Sequence, residues 1–494
     1  MKKPGLLLSL LPVVILIAII AIGVKLFEAD ITSGPSQVAL LFASLVGALI
    51  AMFYLKVPWE KLEAGMIDNL AKTGSAIFIL LMIGALTASW TLSGIVPTLI
   101  YYGLQIIDPS IFLLVIFLFT ALISITIGSS WTTVGTIGVA MLSTGEILGF
   151  HSGWLAGAII SGAYLGDKLS PLSDTTNLSS SVAGVDLYKH IRYLVITNLP
   201  TLILTAIIFA VAGFLIPTSS AIDVEQQCAQ IKELFNISGW FLLIPAGTIF
   251  LIYKKMPPYI TLFASAIAAV VMAVFCQPHI IEQISGNISD PLYKFIYVPF
   301  KILSSRIEIV ADNPMLADLA STNGMAGVMD IIWLILCVVA FGGIMEAGNF
   351  ITVITERMVK FMHSATSLVS STIGTCIFCN IVLSDQYISI LLPGKMFTNA
   401  YKKEGYAPEL LSRSLQDSAT VTSVLVPWNT CGVMQSTVLG VPTLTYLPYC
   451  FFNILSPIVS IIIVATGYKI TRYGVKLKST FNKNKNITNE NSDK

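Results

Sequence analysis

The sequence predicts an all-α polytopic membrane protein, and its composition is the first observation behind that prediction. Of 494 residues, 55% are hydrophobic and only 11% are charged, which is far more apolar content than the core of a soluble domain needs. Apolar runs of membrane-spanning length also recur along the whole chain. A net charge of +1 lacks the excess of Lys and Arg that duplex binding requires. We therefore expect a lipid bilayer as the partner surface and no nucleic acid.

The second observation is that two of the apolar runs are of double length. Each turns at a polar tip, GSSWTT at 128–133 and SDQY at 384–387, and neither tip carries Lys or Arg. Both are interpreted as re-entrant hairpins, because such backbone is tolerated at membrane depth only where it lines protein or a wet cavity. The predicted spans and hairpins are 6–24, 37–54, 75–97, 111–149, 153–184, 193–216, 239–253, 257–277, 329–350, 366–394, 409–439 and 443–467.

The termini are predicted to be cytoplasmic. The start MKKPG and the apolar run after it imitate a signal peptide, but no convincing cleavage site follows, so we interpret the run as the first span. Most of the 28 Lys and Arg residues then fall in segments on the same side as the N-terminus, which is the asymmetry of cytoplasmic loops.

The third observation is an internal repeat. LFASLVGALIAMF at 41–53 resembles LFASAIAAVVMAVF at 262–275, and a constant offset aligns Gly128 with Ser384 and Pro171 with Pro427. Each half then holds about five transmembrane helices plus a hairpin, and an odd number of crossings makes the two repeats inverted. Such repeats are typical of secondary transporters, whose sites lie at the midplane between interrupted helices. The predicted organisation is a first repeat at 1–217, an extracytoplasmic loop at 218–238, a second repeat at 239–467 with an extracytoplasmic loop at 278–327, and a polar cytoplasmic tail at 468–494.

The stretch GDKLSPLSDTTN at 166–177 places three ionisable groups inside a predicted span. A charge at the bilayer centre costs about 2.5–3.5 kcal/mol, so these groups must face one another or water. Pro171 removes a helical hydrogen bond and clashes with the carbonyl four residues earlier, which predicts an opened backbone. Carboxylate, hydroxyl and amide oxygens beside such a break suit a hard cation such as sodium. The candidate ligands are Asp167, Ser170, Ser173, Asp174, Thr175, Thr176 and Asn177, with a Na+ ion at Asp167 and Asp174 as the central hypothesis. The alternative is that these polar groups only hydrogen-bond neighbouring helices.

The second half repeats the theme. Arg413, Asp417 and Thr420 share a helical face ahead of Pro427 and Asn429, and Asp385 lies at the second hairpin tip. We expect Lys168 to be a counter-charge to an aspartate, whereas Arg413 either pairs with Asp417 or holds a substrate carboxylate. Ser129, Ser130 and Thr132 are the matching candidates at the first hairpin tip.

Proton coupling is assigned to carboxylates, because all four histidines fall in loops or at span ends. A cation and a proton would compete for the same oxygens, and exchange follows if only the occupied or protonated site can reorient. Cys376 and Cys379 form a C-x-x-C without a second pair, so they are interpreted as buried apolar residues. Neither a cofactor nor enzymatic activity is expected.

These motifs resemble the NhaC-type sodium/proton antiporter family over roughly residues 70–470. The match is most specific in GSSWTTVGT at 128–136 and in SGAYLGDKLSPLSDTTNLSSSVAGVD at 161–186. The resemblance implies a bacterial inner-membrane antiporter that exchanges sodium for protons, with relatives that exchange malate for lactate. It carries roles onto Asp167, Ser170, Pro171, Asp174, Thr175, Thr176 and Asn177. A homodimer is one option for the oligomeric state.

Three other functions fit parts of the sequence. In an organic-anion exchanger, small carboxylates would be the cargo and Arg413 or Lys168 would hold them. An intramembrane aspartyl protease is suggested by Tyr164-Leu165-Gly166-Asp167, but Tyr164 replaces the first glycine of G-x-G-D. A passive channel would conduct sodium downhill without moving protons.

Overall fold

The computed structural model describes residues 4–27, 34–106, 108–216, 224–254, 256–286, 290–311, 320–358 and 364–470, together with 288 and 317. Its regular elements are helices, and across this described part the one β-bridge joins Ile307 to Thr322. The α-helices are α1 (Leu6–Phe27), α2 (Pro35–Leu49), α3 (Trp59–Leu92), α4 (Ile95–Ile106), α5 (Phe112–Ile127), α6 (Ser130–Thr133), α7 (Val139–Ile147), α8 (Ser152–Leu169), α9 (Asp174–Ala183), α10 (Leu187–Leu215), α11 (Val224–Leu234), α12 (Leu243–Tyr253), α13 (Pro258–Cys276), α14 (Pro278–Ser285), α15 (Pro291–Ser304), α16 (Met329–Ala347), α17 (Phe350–Met358), α18 (Ala365–Val382), α19 (Gln386–Lys403), α20 (Pro408–Leu415), α21 (Thr430–Leu439), α22 (Thr443–Tyr446) and α23 (Phe451–Ala465).

Within those residues, eight helices are long and apolar enough to cross a membrane, or up to ten if two sharply bent helix pairs each count as one span. A multi-pass, all-helical membrane protein is therefore confirmed. Short π-helical or 3-10 turns interrupt or extend several helices, at Ile50–Tyr54, Pro109–Ile111, Val134–Gly138, Gly239–Leu242, Gly324–Val328, Gln416–Thr420, Ser423–Leu425 and Leu447–Tyr449.

Both double-length runs are broken at their polar tips. The first breaks between α5 and α6, where Gly128 has a φ of +76°, a conformation that a side chain disfavours. A Cβ on Gly128 would also lie 2.6 Å from that of Leu172. The second run breaks between α18 and α19, around Ser384 and Asp385. The tip of the first hairpin therefore packs directly on the segment between α8 and α9.

Two pairs of elements match at the offset found in the sequence. Helix α9 corresponds to α21 residue for residue, and each is followed by a glycine in the left-handed conformation, Gly184 and Gly440. Ser129 and Asp385 correspond to each other and cap α6 and α19 by accepting a backbone N–H three residues later.

Close packing of α5 against α8 positions the first candidate site. A Cβ on Gly162 would lie 2.2 Å from the carbonyl oxygen of Phe117, and one on Gly166 would lie 2.3 Å from that of Ala121. Only glycine permits this approach, as at other small-residue helix interfaces in membranes. The end of α8, which carries Asp167 and Lys168, is thereby fixed against α5.

Some elements differ from the expected spans. Helix α3 starts at Trp59 rather than near residue 75, because its polar first turns contain no proline and many good helix formers before the apolar part. Helices α4 and α11 were not predicted. The segment 278–327, predicted as an extracytoplasmic loop, contains α14 and α15. His363, the start of the loop at 218–238 and the tail after residue 470 lie outside the described residues, so the domain limits stay predictions.

Candidate ion-binding site

The first candidate site is built on the interruption between α8 and α9. Helix α8 ends at Leu169, Ser170 adopts an extended conformation, and α9 begins at Asp174. Pro171 accounts for the break, because it has no N–H to continue the helix. Ser173 caps α9 by accepting the backbone N–H of Thr176 at 3.3 Å, so the chain re-enters a helix within a few residues.

Side chains of α9 satisfy the carbonyls that the break leaves open. The Thr176 hydroxyl donates to the Asp167 and Lys168 carbonyls at 3.2 and 3.3 Å. The Asn177 amide donates to the Pro171 and Ser173 carbonyls at 3.0 and 2.8 Å. Because a carbonyl oxygen has two lone pairs, these oxygens keep the capacity to contact a cation.

The first hairpin tip joins this break through Asp167. The Ser130 hydroxyl donates to Asp167 Oδ2 at 2.9 Å. Ser129 caps α6 and also accepts the Thr132 hydroxyl at 3.1 Å. The hairpin therefore presents a hydroxyl to the carboxylate at the end of α8.

The second half has an equivalent break between Ser423–Leu425 and α21. Pro427 lies in this break, and Asn429 caps α21 by accepting the Cys431 N–H at 3.0 Å. The Thr430 N–H donates to the Ser384 carbonyl at 2.8 Å, which ties this break to the second hairpin tip. Asp385 caps α19 by accepting the Ile388 N–H at 3.0 Å.

A cavity of about 880 Å³ lies where the first break and the two hairpin tips meet. Asp167, Asp174 and Asp385 all line it, and among its described lining residues there is no Lys, Arg or His. Asp167 is 4% exposed, whereas Asp174 is open to the cavity at the start of α9. In the part of the chain that the structure describes, no three Asp, Glu, His or Cys side chains converge tightly enough to hold one metal ion. A cation here would therefore be coordinated by fewer carboxylates, together with hydroxyl and carbonyl oxygens. We call this space the carboxylate cavity.

Lys168 points away from the carboxylate cavity into a buried charged cluster. Its ammonium donates to Asp417 Oδ1 at 2.7 Å and to the Ser456 hydroxyl at 2.9 Å. Arg413 Nε is 3.9 Å from Asp417 Oδ2, which is too long for a hydrogen bond, and its guanidinium lies over the Tyr193 ring at 4.9 Å. Lys168, Arg413 and Asp417 are fully buried. Lys168 therefore has the position expected of a counter-charge, and its partner belongs to the other half of the chain.

The structure separates the predicted residues that line the carboxylate cavity from those that do not. Ten line the carboxylate cavity, namely Ser129, Ser130, Thr132, Asp167, Pro171, Ser173, Asp174, Thr175, Asn177 and Asp385. Eight are not among its lining residues, namely Lys168, Ser170, Thr176, Arg413, Asp417, Thr420, Pro427 and Asn429.

Sequence reasoning missed Gln416, which links the two halves. Its amide donates to the Thr175 and Thr176 hydroxyls at 3.2 and 3.1 Å and accepts the Ser179 hydroxyl at 2.6 Å. The Thr420 hydroxyl donates to the same Gln416 oxygen at 3.1 Å. A signal was available, because Gln416 immediately precedes Asp417 in the polar stretch RSLQDSAT.

His190 was predicted to lie in a loop or at a span end; it lies near the start of α10 and is fully buried. Its Nδ1 is 2.8 Å from the Ser412 hydroxyl. Neighbouring Lys189 forms an ion pair with Glu409, which is also buried. The polar first turns of α10 and α20 thus meet inside the protein, which the position of His190 in the sequence did not indicate.

A family model and several known proteins resemble this chain, and all of them are antiporters. The Na+/H+ antiporter family model matches residues 4–214 and 162–468. A Na(+)/H(+) antiporter NhaC of Alkalihalophilus pseudofirmus is 35% identical over 93% of this chain and 94% of that protein. A malate-2H(+)/Na(+)-lactate antiporter of Bacillus subtilis is 34% identical over 88% of this chain and 90% of its own. An arginine/ornithine antiporter ArcD of Halobacterium salinarum is 32% identical over 95% of this chain and 93% of that protein. The relatives are named as transporters rather than enzymes. Because the family model matches most of the chain and the relatives match it over nearly their whole length, the chain belongs to the Na+/H+ antiporter family, as its NhaC-like motifs predicted.

Proposed function

We propose that this protein exchanges sodium for protons, with Asp167 and Asp174 holding either ion. The observation that carries the proposal is the carboxylate cavity, where three aspartates meet hydroxyls and carbonyls with no cationic side chain among the described lining residues. Oxygen ligands of this kind suit a hard cation. The Ser130 hydroxyl on Asp167 adds a further oxygen beside the carboxylate.

The same charge balance argues against a small carboxylate as the cargo. The two buried cations that could hold one lie outside the carboxylate cavity, and Lys168 already bonds Asp417. Malate/lactate exchange, which names one of the relatives, therefore stays the weaker alternative. If Arg413→Ala left sodium/proton exchange intact and abolished dicarboxylate uptake, the organic-anion alternative would replace this proposal.

An organic cation is a second candidate cargo. A volume of about 880 Å³ is far larger than a sodium ion requires, and Trp131, Tyr188 and Tyr387 line the cavity with its aspartates. Aromatic rings and carboxylates together recognise guanidinium and ammonium groups, and one relative is named as an arginine/ornithine antiporter. Arginine added to sodium-loaded proteoliposomes would drive sodium release in this case.

The transport cycle is proposed to use two inverted repeats with re-entrant hairpins. Support comes from the matching of α9 with α21 and from the equivalent caps of Ser129 and Asp385. Hydrogen bonds of Gln416 and of Lys168 cross between the halves at the breaks, where relative movement of the repeats would alter the site. We propose a bacterial inner-membrane location with both termini in the cytoplasm. The carboxylate cavity would then open to the cytoplasm, because Tyr188 and Met256 in its lining lie in predicted cytoplasmic loops.

The test is proton movement in everted vesicles. Sodium added to vesicles with a preset pH gradient should dissipate that gradient through the wild-type protein, and Asp167→Asn or Asp174→Asn should abolish the response while the protein still inserts. Asp290→Asn is the matched control, because Asp290 caps the distant α15 and Asn caps a helix equally well. Full activity of both cavity variants would refute the site. Purified protein tested with sodium alone, with malate or lactate, and with arginine then identifies the cargo.

A further inference from the structure

A second cavity, of about 480 Å³, lies farther along the same helices that form the carboxylate cavity. Helix α3 contributes Thr73, Ser75 and Ile79 to the carboxylate cavity and the face from Ile83 to Thr91 to the second one. The first hairpin likewise contributes Gly128–Thr132 to one and the face from Val139 to Ile147 to the other. The two spaces are thus arranged in series along a common wall.

The second cavity is polar and carries one acid. Glu146 is its single ionisable side chain among the described lining residues, and hydroxyls of Thr87, Thr91, Ser143 and Thr437 surround the same space. A lone carboxylate among hydroxyls attracts cations. The lining also includes 321–324, part of the segment predicted to be extracytoplasmic, opposite to the loops at the carboxylate cavity.

A thin layer of protein separates the two cavities. In the hairpin this layer is the π-helical turn Val134–Gly138, all of which is buried. Gly135 packs on Ile83 so closely that a Cβ would lie 3.1 Å from its side chain. The barrier between the cavities is therefore only one to two helical turns thick on this side.

Polar groups with poorly satisfied hydrogen bonding cross that layer. Trp131 Nε1, the Tyr164 hydroxyl and both amide atoms of Gln435 are buried, and none of them meets a partner in good hydrogen-bond geometry. They are neighbours, because Cys431 lies beside Trp131 and Tyr164, and Tyr164 lies beside Gln435. Buried polar atoms almost always have partners, and those without a protein partner commonly bond ordered water.

The direction of this row follows from α21. Cys431, Gln435 and Leu439 recur every four residues and so lie on one helical face. At one end of the row Trp131 lines the carboxylate cavity, and at the other Leu439 lines the second cavity. We call Trp131, Tyr164, Cys431 and Gln435 the polar seam.

We propose that the second cavity is the opposite entrance of the transport pathway, that Glu146 draws cations into it, and that the polar seam is the hydrated stretch joining it to the carboxylate cavity. The inference rests on the proposed antiport function. An ion leaving the carboxylate cavity toward the other side would exchange carboxylate oxygens for water held by Tyr164 and Gln435.

The decisive variant is Gln435→Leu, compared with Asn198→Leu. Asn198 is also buried with both amide atoms unbonded, but it lies on α10 and lines neither cavity. Removing either amide should leave the fold intact, because neither amide makes a well-aligned hydrogen bond that would be lost. Gln435→Leu should slow sodium/proton exchange at least tenfold, and Asn198→Leu should match the wild type. Equal rates for all three proteins would overturn the role of the seam.

Two further measurements separate this inference from the proposed function. Glu146→Gln should weaken apparent sodium affinity severalfold from the second-cavity side only, whereas Glu282→Gln, in the neighbouring surface segment, should change neither side. An equal effect of Glu146→Gln on both sides would contradict the assignment.

Ser143→Cys and Tyr188→Cys should react with a membrane-impermeant thiol reagent from opposite sides of the membrane, and the labelling of the wild-type cysteines is the background. Labelling of both cysteines from the same side would overturn the two-entrance arrangement, whichever ion is transported. A wild-type protein without sodium/proton exchange would instead refute the proposed function and leave the labelling result unaffected.

Discussion

Asp167 and Lys168 are consecutive residues, yet they belong to two regions with opposite character. Asp167 lines a cavity, bonds a hairpin hydroxyl and shares its space with two more aspartates. Lys168 is enclosed with Asp417 and Ser456 and has no exposed surface. The cavity leaves carboxylates available to exchange ligands, whereas the buried pair holds its partners in one arrangement. Under the proposed function, the cavity would bind the cargo and the buried pair would hold the two halves of the chain around it.

The largest effect on stability is expected from breaking the buried pair. Lys168→Met leaves Asp417 without its short ion pair, and removing one partner of a buried pair costs about 3–5 kcal/mol. Thermal unfolding in detergent should show a lower Tm, while Lys402→Met, at an exposed lysine in the last turn of α19, should change stability by less than about 0.5 kcal/mol.

A second variant distinguishes the loss of the ion pair from a general failure of the protein to fold. Lys168→Met combined with Arg413→Met and Asp417→Leu should recover part of the lost stability, because a packed apolar cluster tolerates burial better than charges left without their partners. A Tm of Lys168→Met equal to that of the wild type would end the distinction between the two regions.

An intermediate effect is expected at Gln416, which connects them. Gln416→Leu removes hydrogen bonds to four hydroxyls, and leaving buried partners unsatisfied costs about 1–3 kcal/mol. We expect both a lower Tm and slower transport, because the helix that carries Asp174 loses these hydrogen bonds to the other half. Gln416→Asn, which keeps both amide groups on a shorter side chain, should lie between Leu and wild type. Transport and Tm that change independently across this pair would show that Gln416 does not couple the regions.

The smallest effect is expected at Ser130. Ser130→Ala removes one hydrogen bond to Asp167, and because water in the cavity can replace it, the cost should be about 1.4 kcal/mol, which is about tenfold in affinity. The apparent KM for sodium should rise while the maximal rate and the Tm stay near wild type. Ser304→Ala, which removes a hydroxyl bonded only within α15 and its following residue, is the control. A loss of stability instead of affinity would place Asp167 with the fixed region rather than with the cargo.

The sequence anticipated much of the site for local reasons. Pro171 predicted the break because its chemistry acts within one helical turn, and Asp167, Asp174 and Asp385 were all candidates because charges are costly in lipid. The sequence analysis grouped Asp417 with the other carboxylates. A helical repeat of polar residues does not show whether a given side chain lines a cavity or forms a buried ion pair. Gln416 and His190 were missed because each owes its importance to a residue more than two hundred positions away.

The sequence by itself determined a polytopic helical protein and a helix interruption flanked by Asp167 and Asp174, because hydrophobic length, proline and intramembrane charge act over short stretches of chain. Only the tertiary structure decided which charges share the carboxylate cavity and which are enclosed together. Consecutive residues on a helix point about 100° apart, so Asp167 and Lys168 meet different neighbours, and those neighbours come from helices that the chain brings together only on folding.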